Sequence, residues 1–115
     1  MKKQRKKIPE GALDLIAARF RVLSEPMRLK ILNALGDDEL TVNELVEATG
    51  SGQANISKHL GILFREGVMV RRKEGLNTYY AVADKSIFAL CEVVGTSLGK
   101  QFSSRQKAVS SFTGR

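Results

Sequence analysis

The chain has 115 residues, of which 43% are hydrophobic and 27% are charged, a composition typical of one soluble globular domain. No apolar run approaches the roughly 18–20 residues of a membrane span. No signal-peptide core follows the basic N-terminus, so we expect a cytoplasmic protein. The single cysteine excludes an intrachain disulfide. The net charge of +7 belongs mostly to residues 1–7 and 100–115, which contain no acidic side chain, so net charge alone does not indicate a nucleic-acid partner.

The first segment, residues 1–9, is predicted to be a disordered basic arm, which either contacts phosphates or only improves solubility. A helix is predicted to begin at Glu10, because apolar residues then recur at spacings of three and four. A break follows, where Ser24 or Glu25 can cap a second helix and Pro26 fits its first turn. This second helix is predicted to end at Gly36.

A capped short helix, a tight turn and another helix are predicted between residues 41 and 66. Thr41 and Glu44 fit a capping box, in which each side chain accepts a hydrogen bond from the backbone N–H of the other residue. The short helix ends at Gly50, and the next helix begins near Gln53. Its apolar positions recur at helical spacing, at Ile56, Leu60, Leu63 and Phe64. This arrangement is typical of a helix-turn-helix.

The last part of the chain is predicted to form a hairpin and a final helix. The hydrophobic period changes to two from Val68, a turn follows at residues 74–77, and residues 78–82 read as a returning strand. A helix then begins near Asp84. We therefore predict a mainly α fold with a small β-hairpin, a winged helix-turn-helix of five helices and a two-stranded wing. Its predicted parts are a disordered arm at 1–9, the domain at 10–102 and a flexible tail at 103–115.

The helix that begins near Gln53 carries short polar groups opposite its apolar face. A helix can enter the major groove of B-DNA when one face is docked on the protein and the N-terminal part of the other face meets base edges. Gln53 and Asn55 can pair with adenine, and Lys58 can reach a phosphate. The candidate DNA-binding residues here are Gln53, Ala54, Asn55, Ser57, Lys58 and His59. An ordinary amphipathic helix with a solvated face is the alternative.

The predicted hairpin carries the densest basic run outside the two ends of the chain, Arg71, Arg72 and Lys73. A hairpin can lay such a run along the phosphate backbone or into the minor groove, which adds a salt-dependent contribution to binding. Asn77, in the turn, is a further candidate. The alternative is an edge strand that its charges protect from aggregation.

These segments together resemble the ArsR/SmtB-type winged helix-turn-helix repressors. The resemblance covers roughly residues 12–100 and is carried by FRVLSEPMRLKILNAL, ELTVNELVEATG, QANISKHLGILFREG and VRRKEGLNTYYAV. It implies a symmetric homodimer built from the first and last helices. It also implies that the protein represses transcription by occupying a duplex DNA operator and releases it when a signal binds.

The resemblance further implies that the metal sites best known in this family are incomplete here. In one site a cysteine lies within the segment that matches residues 39–45, where this chain has Thr41, and a hydroxyl cannot replace a thiolate for a soft metal. The other site lies on the last helix. Only Asp84 matches its first ligand there, and the remaining three positions hold Ser86, Ser97 and Lys100. We expect no metal and no other cofactor, and the sequence does not identify an effector.

The lone histidine and the lone cysteine have competing interpretations. His59 lies in the predicted DNA-reading helix, and a single histidine rarely forms a metal site. Cys91 lies among apolar residues, so it is predicted to be a small core or interface hydrophobe. A redox-active thiol, which would make the protein a thiol-based redox-sensing repressor, is the alternative.

The first and last predicted helices have larger apolar faces than one small core requires. This favours a homodimer, which would set two recognition helices about 34 Å apart, one turn of DNA. The candidate interface residues are Leu13, Ile16, Phe20, Ile87, Leu90, Cys91, Val94 and Leu98. A winged helix used as a protein–protein interaction module is the alternative function. We find no constellation typical of an enzyme.

Overall fold

The computed structural model describes residues 4–112, with side chains as far as residue 110. Its elements in chain order are α1 (Glu10–Leu23), α2 (Pro26–Leu35), α3 (Val42–Thr49), α4 (Gln53–Arg65), β1 (Met69–Glu74), β2 (Asn77–Val82) and α5 (Ser86–Phe112). The predicted fold, five helices and a two-stranded hairpin, is confirmed. None of the described helices is both long enough and apolar enough to cross a membrane.

The breaks between the first helices arise from local sequence chemistry. The Glu25 carboxylate accepts a hydrogen bond from the Met27 backbone N–H at 3.5 Å, and Pro26 occupies the first helical position. Gly36 ends α2 with a φ of 53°, a backbone region that favours glycine. The sequence predicts both ends of α2, because each of these signals acts within a few residues.

The core of residues up to Ala83 is built where α2, α3, α4 and the start of β1 meet. Its fully buried side chains are aliphatic or methionine: Ile31, Leu35, Leu45, Ile56, Leu60, Leu63, Val68 and Met69. Burying each such side chain contributes about 1.5–3 kcal/mol relative to leaving it exposed. This shared core fixes α4 against α2 and α3, which determines the face of α4 that remains exposed.

The hairpin is antiparallel, with Met69 opposite Val82 and Glu74 opposite Asn77. A third segment joins it on the other edge of β2. Leu40, just before α3, exchanges two backbone hydrogen bonds with Tyr80, at 3.0 and 2.8 Å. The hairpin is therefore attached to the segment that leads into α3.

The chain divides into two compact units, with the boundary between Ala83 and Asp84. The second unit is α5, which begins where the Asp84 carboxylate accepts hydrogen bonds from the Ser86 backbone N–H and hydroxyl, at 3.0 and 2.6 Å. The helix does not end near residue 102 as predicted, because residues 100–112 contain no proline or glycine and include good helix formers such as Gln106, Lys107 and Ala108.

At the other end of the chain, residues 4–9 are exposed and form no regular secondary structure. The rest of the predicted N-terminal arm, residues 1–3, and the end of the predicted tail, residues 113–115, lie outside the described residues.

Candidate nucleic-acid interface

Local signals mark both ends of α3, the helix before the turn to α4. The Thr41 hydroxyl accepts a hydrogen bond from the Glu44 N–H at 3.2 Å, and the Glu44 carboxylate accepts one from the Thr41 N–H at 2.9 Å. The predicted capping box is therefore present. Gly50 follows α3 with a φ of 74°, in the left-handed region that favours glycine. The capping box and Gly50 therefore set where α3 begins and ends.

The inner face of α3 includes a polar side chain. Ala48 is exposed, whereas the next residue, Thr49, is buried. Thr49 lies one helical turn after the buried Leu45, and its hydroxyl donates a hydrogen bond to the Leu45 carbonyl oxygen at 2.7 Å. This hydrogen bond satisfies the buried hydroxyl, so the polar side chain can take the inner position.

The first two turns of α4 present a polar, exposed face opposite the buried Ile56, Leu60 and Leu63. Five of the six candidate residues on this helix lie exposed there: Gln53, Ala54, Asn55, Ser57 and Lys58. Amide, hydroxyl and ammonium groups of this kind suit base edges and phosphates. The arrangement can therefore meet a major groove without displacing any side chain of the core.

Asn55 is held in place by a contact within the turn. Its side-chain amide donates a hydrogen bond to the Ser51 hydroxyl at 2.9 Å. The second amide hydrogen and the carbonyl oxygen remain suited to a bidentate contact with adenine. The hydrogen bond to Ser51 reduces the rotamer freedom that Asn55 would lose on binding.

His59 does not lie on this exposed face, so the structure does not support its predicted contact with DNA. The side chain is only 6% exposed, and its Nδ1 atom accepts a hydrogen bond from Arg28 Nε on α2 at 3.3 Å. The sequence contains a signal for this orientation. His59 lies three residues after Ile56 and four before Leu63, which is the spacing of the buried face.

The hairpin is linked to α4 by Arg71. Its guanidinium carbon lies 4.0 Å from the centre of the Phe64 ring, near the end of α4, in a cation–π contact. Arg71 and Lys73 are exposed and, together with Arg72, Thr78 and Tyr80, line an open hollow of about 490 Å³ on the hairpin. Three basic side chains therefore lie beside a surface concavity, and one of them, Arg71, contacts α4.

Arg72 contacts acidic residues of the protein, so its predicted contact with DNA is revised. Its guanidinium donates hydrogen bonds to both carboxylate oxygens of Glu39 and lies 3.3 Å from a carboxylate oxygen of Glu74. It also lies over the Tyr79 ring, 4.6 Å from the ring centre. The hydrogen bond from Arg72 lowers the pKa of Glu39, and the same bond raises the pKa of Arg72. Glu39 and Glu74 neutralise the charge that a phosphate would meet.

Glu39 is a partner of the hairpin that the sequence does not reveal. The run of acidic residues at 37–39 reads as a solvated turn, and Glu39 lies 33 residues before Arg72. The pairing of Glu39 with Arg72 depends on the bridge between Leu40 and Tyr80, which no local sequence pattern predicts.

Asn77, also a candidate DNA-binding residue, is exposed and pairs with Glu74 across the hairpin turn.

The candidate interface residues on α1 and α5 are mostly exposed in the single chain. Leu13 and Phe20 on α1, and Cys91, Val94 and Leu98 on α5, are exposed. Ile16 and Leu90 are partly buried. Ile87 is only 3% exposed in the single chain, so it offers a partner little surface.

The positions of the two family metal sites hold other contacts in this chain. Thr41 caps α3, and Asp84 caps α5 with Ser86. Across residues 4–112, no three histidine, cysteine, aspartate or glutamate side chains lie together in a way that would hold a metal ion.

The sequence is similar to known bacterial regulators. Residues 25–69 match the family described as bacterial regulatory protein, arsR family. The chain is 34% identical over 97 residues to the uncharacterized HTH-type transcriptional regulator Rv0081 of Mycobacterium tuberculosis, across 84% of this chain and 85% of that protein. It is also 34% identical over 76 residues to the HTH-type transcriptional repressor SmtB of the same organism, across 66% and 56% of the two chains.

Solved structures show the same fold. The crystal structure of Rv0081 matches with a TM-score of 0.73 at 33% identity, over 84% of this chain and 98% of that one. The homodimeric winged helix-turn-helix DNA-binding domain of Mb0332 from Mycobacterium bovis matches with a TM-score of 0.70 at 28% identity, over 82% and 87% of the two chains.

Proposed function

Because this chain belongs to the arsR family of bacterial regulatory proteins, which are transcriptional regulators and not enzymes, we propose that it is a homodimeric repressor of a specific DNA operator. The observation that carries this proposal is the exposed polar face of α4. Gln53, Asn55 and Ser57 lie in its first two turns, on a helix whose opposite face is buried in the core. Such a helix can enter the major groove with its shape unchanged.

The hairpin supplies a second contact with the duplex. Arg71 and Lys73 are exposed, and they add phosphate contacts that strengthen binding without discriminating among sequences. Arg72 takes a different part, since it is held by Glu39 and Glu74. It fixes the hairpin relative to the segment before α3 and so places Arg71 and Lys73.

A homodimer would present two copies of α4 to two half-sites. The exposed apolar side chains of α1 and α5 support this, and so does the homodimeric state of the Mb0332 domain. The repressor role is supported by the similarity to the repressor SmtB. We propose further that the signal that releases DNA does not act through the two family metal sites, because their positions hold Thr41, Ser86, Ser97 and Lys100.

The test is sequence discrimination by the full-length protein. Gln53→Ala with Asn55→Ala is compared with a matched control, Asn33→Ala with Gln101→Ala, which removes the same side-chain types from exposed positions elsewhere. The operator is first selected from random duplex, and affinity is then measured by fluorescence anisotropy at one salt concentration. The α4 double variant should lose most of the difference between operator and random DNA, about 1–3 kcal/mol for each lost base contact. The control should keep it.

Full discrimination by the α4 double variant would contradict the recognition role of α4. Failure of the wild-type protein to retain any duplex at low salt, with capture of a protein partner in a salt-insensitive complex, would favour an interaction module instead.

A further inference from the structure

The only histidine of the chain lies on the recognition helix but faces the protein interior. His59 is one helical turn after Asn55, on the side of α4 that packs against α2. Its Nδ1 atom accepts the hydrogen bond from Arg28 Nε at 3.3 Å. An arginine can only donate, so Nδ1 carries no proton and the ring is the neutral form protonated at Nε2.

Arg28 joins this ring to a third helix. Its Nη1 atom donates a second hydrogen bond, at 2.9 Å, to the carbonyl oxygen of Val22 in the last turn of α1. One guanidinium therefore ties the end of α1, the first turn of α2 and the middle of α4. Arg28 contacts α4 at His59, in the second turn of the helix, on the side opposite the exposed polar face.

We propose that Arg28 and His59 are positioning residues for operator recognition, and that a proton on His59 disengages them. This inference rests on the proposed DNA-reading role of α4. The neutral ring, held by Arg28, sets the rotation and depth of α4 relative to α2, and so sets where Gln53 and Asn55 meet the bases. A displacement of this helix by a fraction of an ångström is enough to weaken bidentate contacts with bases.

Protonation breaks the link by simple chemistry. An imidazolium carries hydrogen on both nitrogens, so it cannot accept from Arg28 Nε, and it places a cation against the guanidinium. Among the described residues, the charged groups that act on the ring are Arg28 on α2, Glu25 at the N-cap of α2 and Lys58 on α4. Burial, Arg28 and Lys58 lower the pKa of His59 below its usual value of 6.5, and Glu25 opposes them.

The direction of the pH effect follows from this lowered pKa. The folded protein takes up a proton on His59 less readily than the unfolded chain does. The contribution of neutral His59 to folding stability is therefore complete above pH 6.5. This contribution declines as the pH falls below 6.5, and it is lost as the pH passes through the lowered pKa of the folded protein. Operator affinity should fall only where the folded protein takes up this proton, as the pH passes through the lowered pKa of His59, whereas phosphate contacts by arginine and lysine do not titrate in this range.

The test uses His59→Asn, whose side-chain oxygen can accept in place of Nδ1 but does not titrate. Affinity for the operator and for random duplex is measured at fixed salt while the pH is lowered from about 7.5 through the ring pKa that NMR gives. Once the ring is protonated, the wild type should have lost up to about tenfold in operator affinity, the equivalent of one lost hydrogen bond, and little or none in affinity for random duplex. His59→Asn should bind the operator at pH 7.5 to within a few-fold of the wild type and show a flat pH profile.

Arg28→Lys keeps the charge but cannot reach both His59 and Val22, so it should weaken operator binding at pH 7.5. Arg21→Lys, on the exposed side of α1, is its control. A pH profile of His59→Asn that matches the wild type, or an Arg28→Lys affinity equal to that of Arg21→Lys, would overturn the proposal.

NMR of the histidine ring in the wild-type protein without DNA gives a readout that needs no variant to fold. It should show the form protonated at Nε2 and a pKa below 6.5; an Nδ1-protonated ring or an unshifted pKa contradicts the positioning role. If the wild type shows no operator preference at pH 7.5, the proposed function fails, whatever the ring titration shows.

Discussion

Lys73 is the residue whose role in DNA binding is most directly measurable. It is exposed near the hairpin turn, opposite Thr78, and lines the hollow on the hairpin. If it contacts a phosphate, Lys73→Ala should weaken binding to operator and random duplex alike. It should also reduce the slope of log affinity against log salt by about 0.9, the value for one released counterion. Lys30→Ala, an exposed lysine on α2, is the control, and an equal slope for both variants would contradict the contact.

At the scale of single residues, apolar spacing predicts which side chains of α4 are exposed, whereas charge partners are predicted poorly. The apolar spacing of α4 identifies Gln53 and Asn55 as exposed, because the position of a residue in a helix determines the face on which its side chain lies. The same spacing places His59 inside, but the chemistry of a histidine in a DNA-reading helix suggested the opposite. Arg72 was assigned to DNA because its partner Glu39 is remote in sequence. A basic residue shows its charge in the sequence, whereas the carboxylate that neutralises it appears only in the fold.

At the scale of elements, the capping box of α3 is the contact with the most predictable energy. Thr41→Ala removes the hydroxyl that accepts from the Glu44 N–H, and should lower the free energy of unfolding by about 1 kcal/mol. Urea denaturation of the full-length protein measures this. Glu47→Ala, an exposed change on the same helix, should cost much less. Equal midpoints for the two variants would mean that the cap contributes nothing to stability.

Element boundaries were predictable wherever a local signal marks them. Pro26, the Thr41 capping box and Gly50 each act within one turn of chain, and the structure places helix ends at all three. The end of α5 was not predictable in this way. Serines are frequent after residue 102, but serine costs a helix only a few tenths of a kcal/mol more than average residues do, and no proline or glycine lies between residues 102 and 112.

At the scale of the whole molecule, the exposed apolar face of α5 predicts the oligomeric state. Val94 and Leu98 are 48% and 57% exposed, so each would contribute roughly 1 kcal/mol, about half the value for full burial, if a second copy covered it. A symmetric homodimer covers both copies of each side chain, so Val94→Glu with Leu98→Glu should weaken it by roughly 4 kcal/mol, about a thousandfold. Sedimentation velocity at micromolar protein should then show a monomer, and operator affinity should fall with it.

Val93→Glu is the matched control for the dimer. Val93 is 67% exposed and lies about 100° around the helix from Val94, outside the candidate interface. This variant should keep the mass of the wild type. A wild-type monomer at micromolar concentration would contradict the homodimer outright. A monomeric Val93→Glu would move the interface to another face of α5.

The bridge between Leu40 and Tyr80 has a consequence for the order of folding. The two residues are about 40 positions apart, so closing their hydrogen-bonded pair before α3, α4 and the hairpin have formed would cost considerable chain entropy. Each of those elements depends on near neighbours in sequence and can form early. We therefore expect the bridge to close last, with the Leu40 and Tyr80 amides protected from exchange late in refolding. The hairpin acquires its fixed position only at that final step, so the basic run of the wing becomes ordered for DNA together with the completed fold.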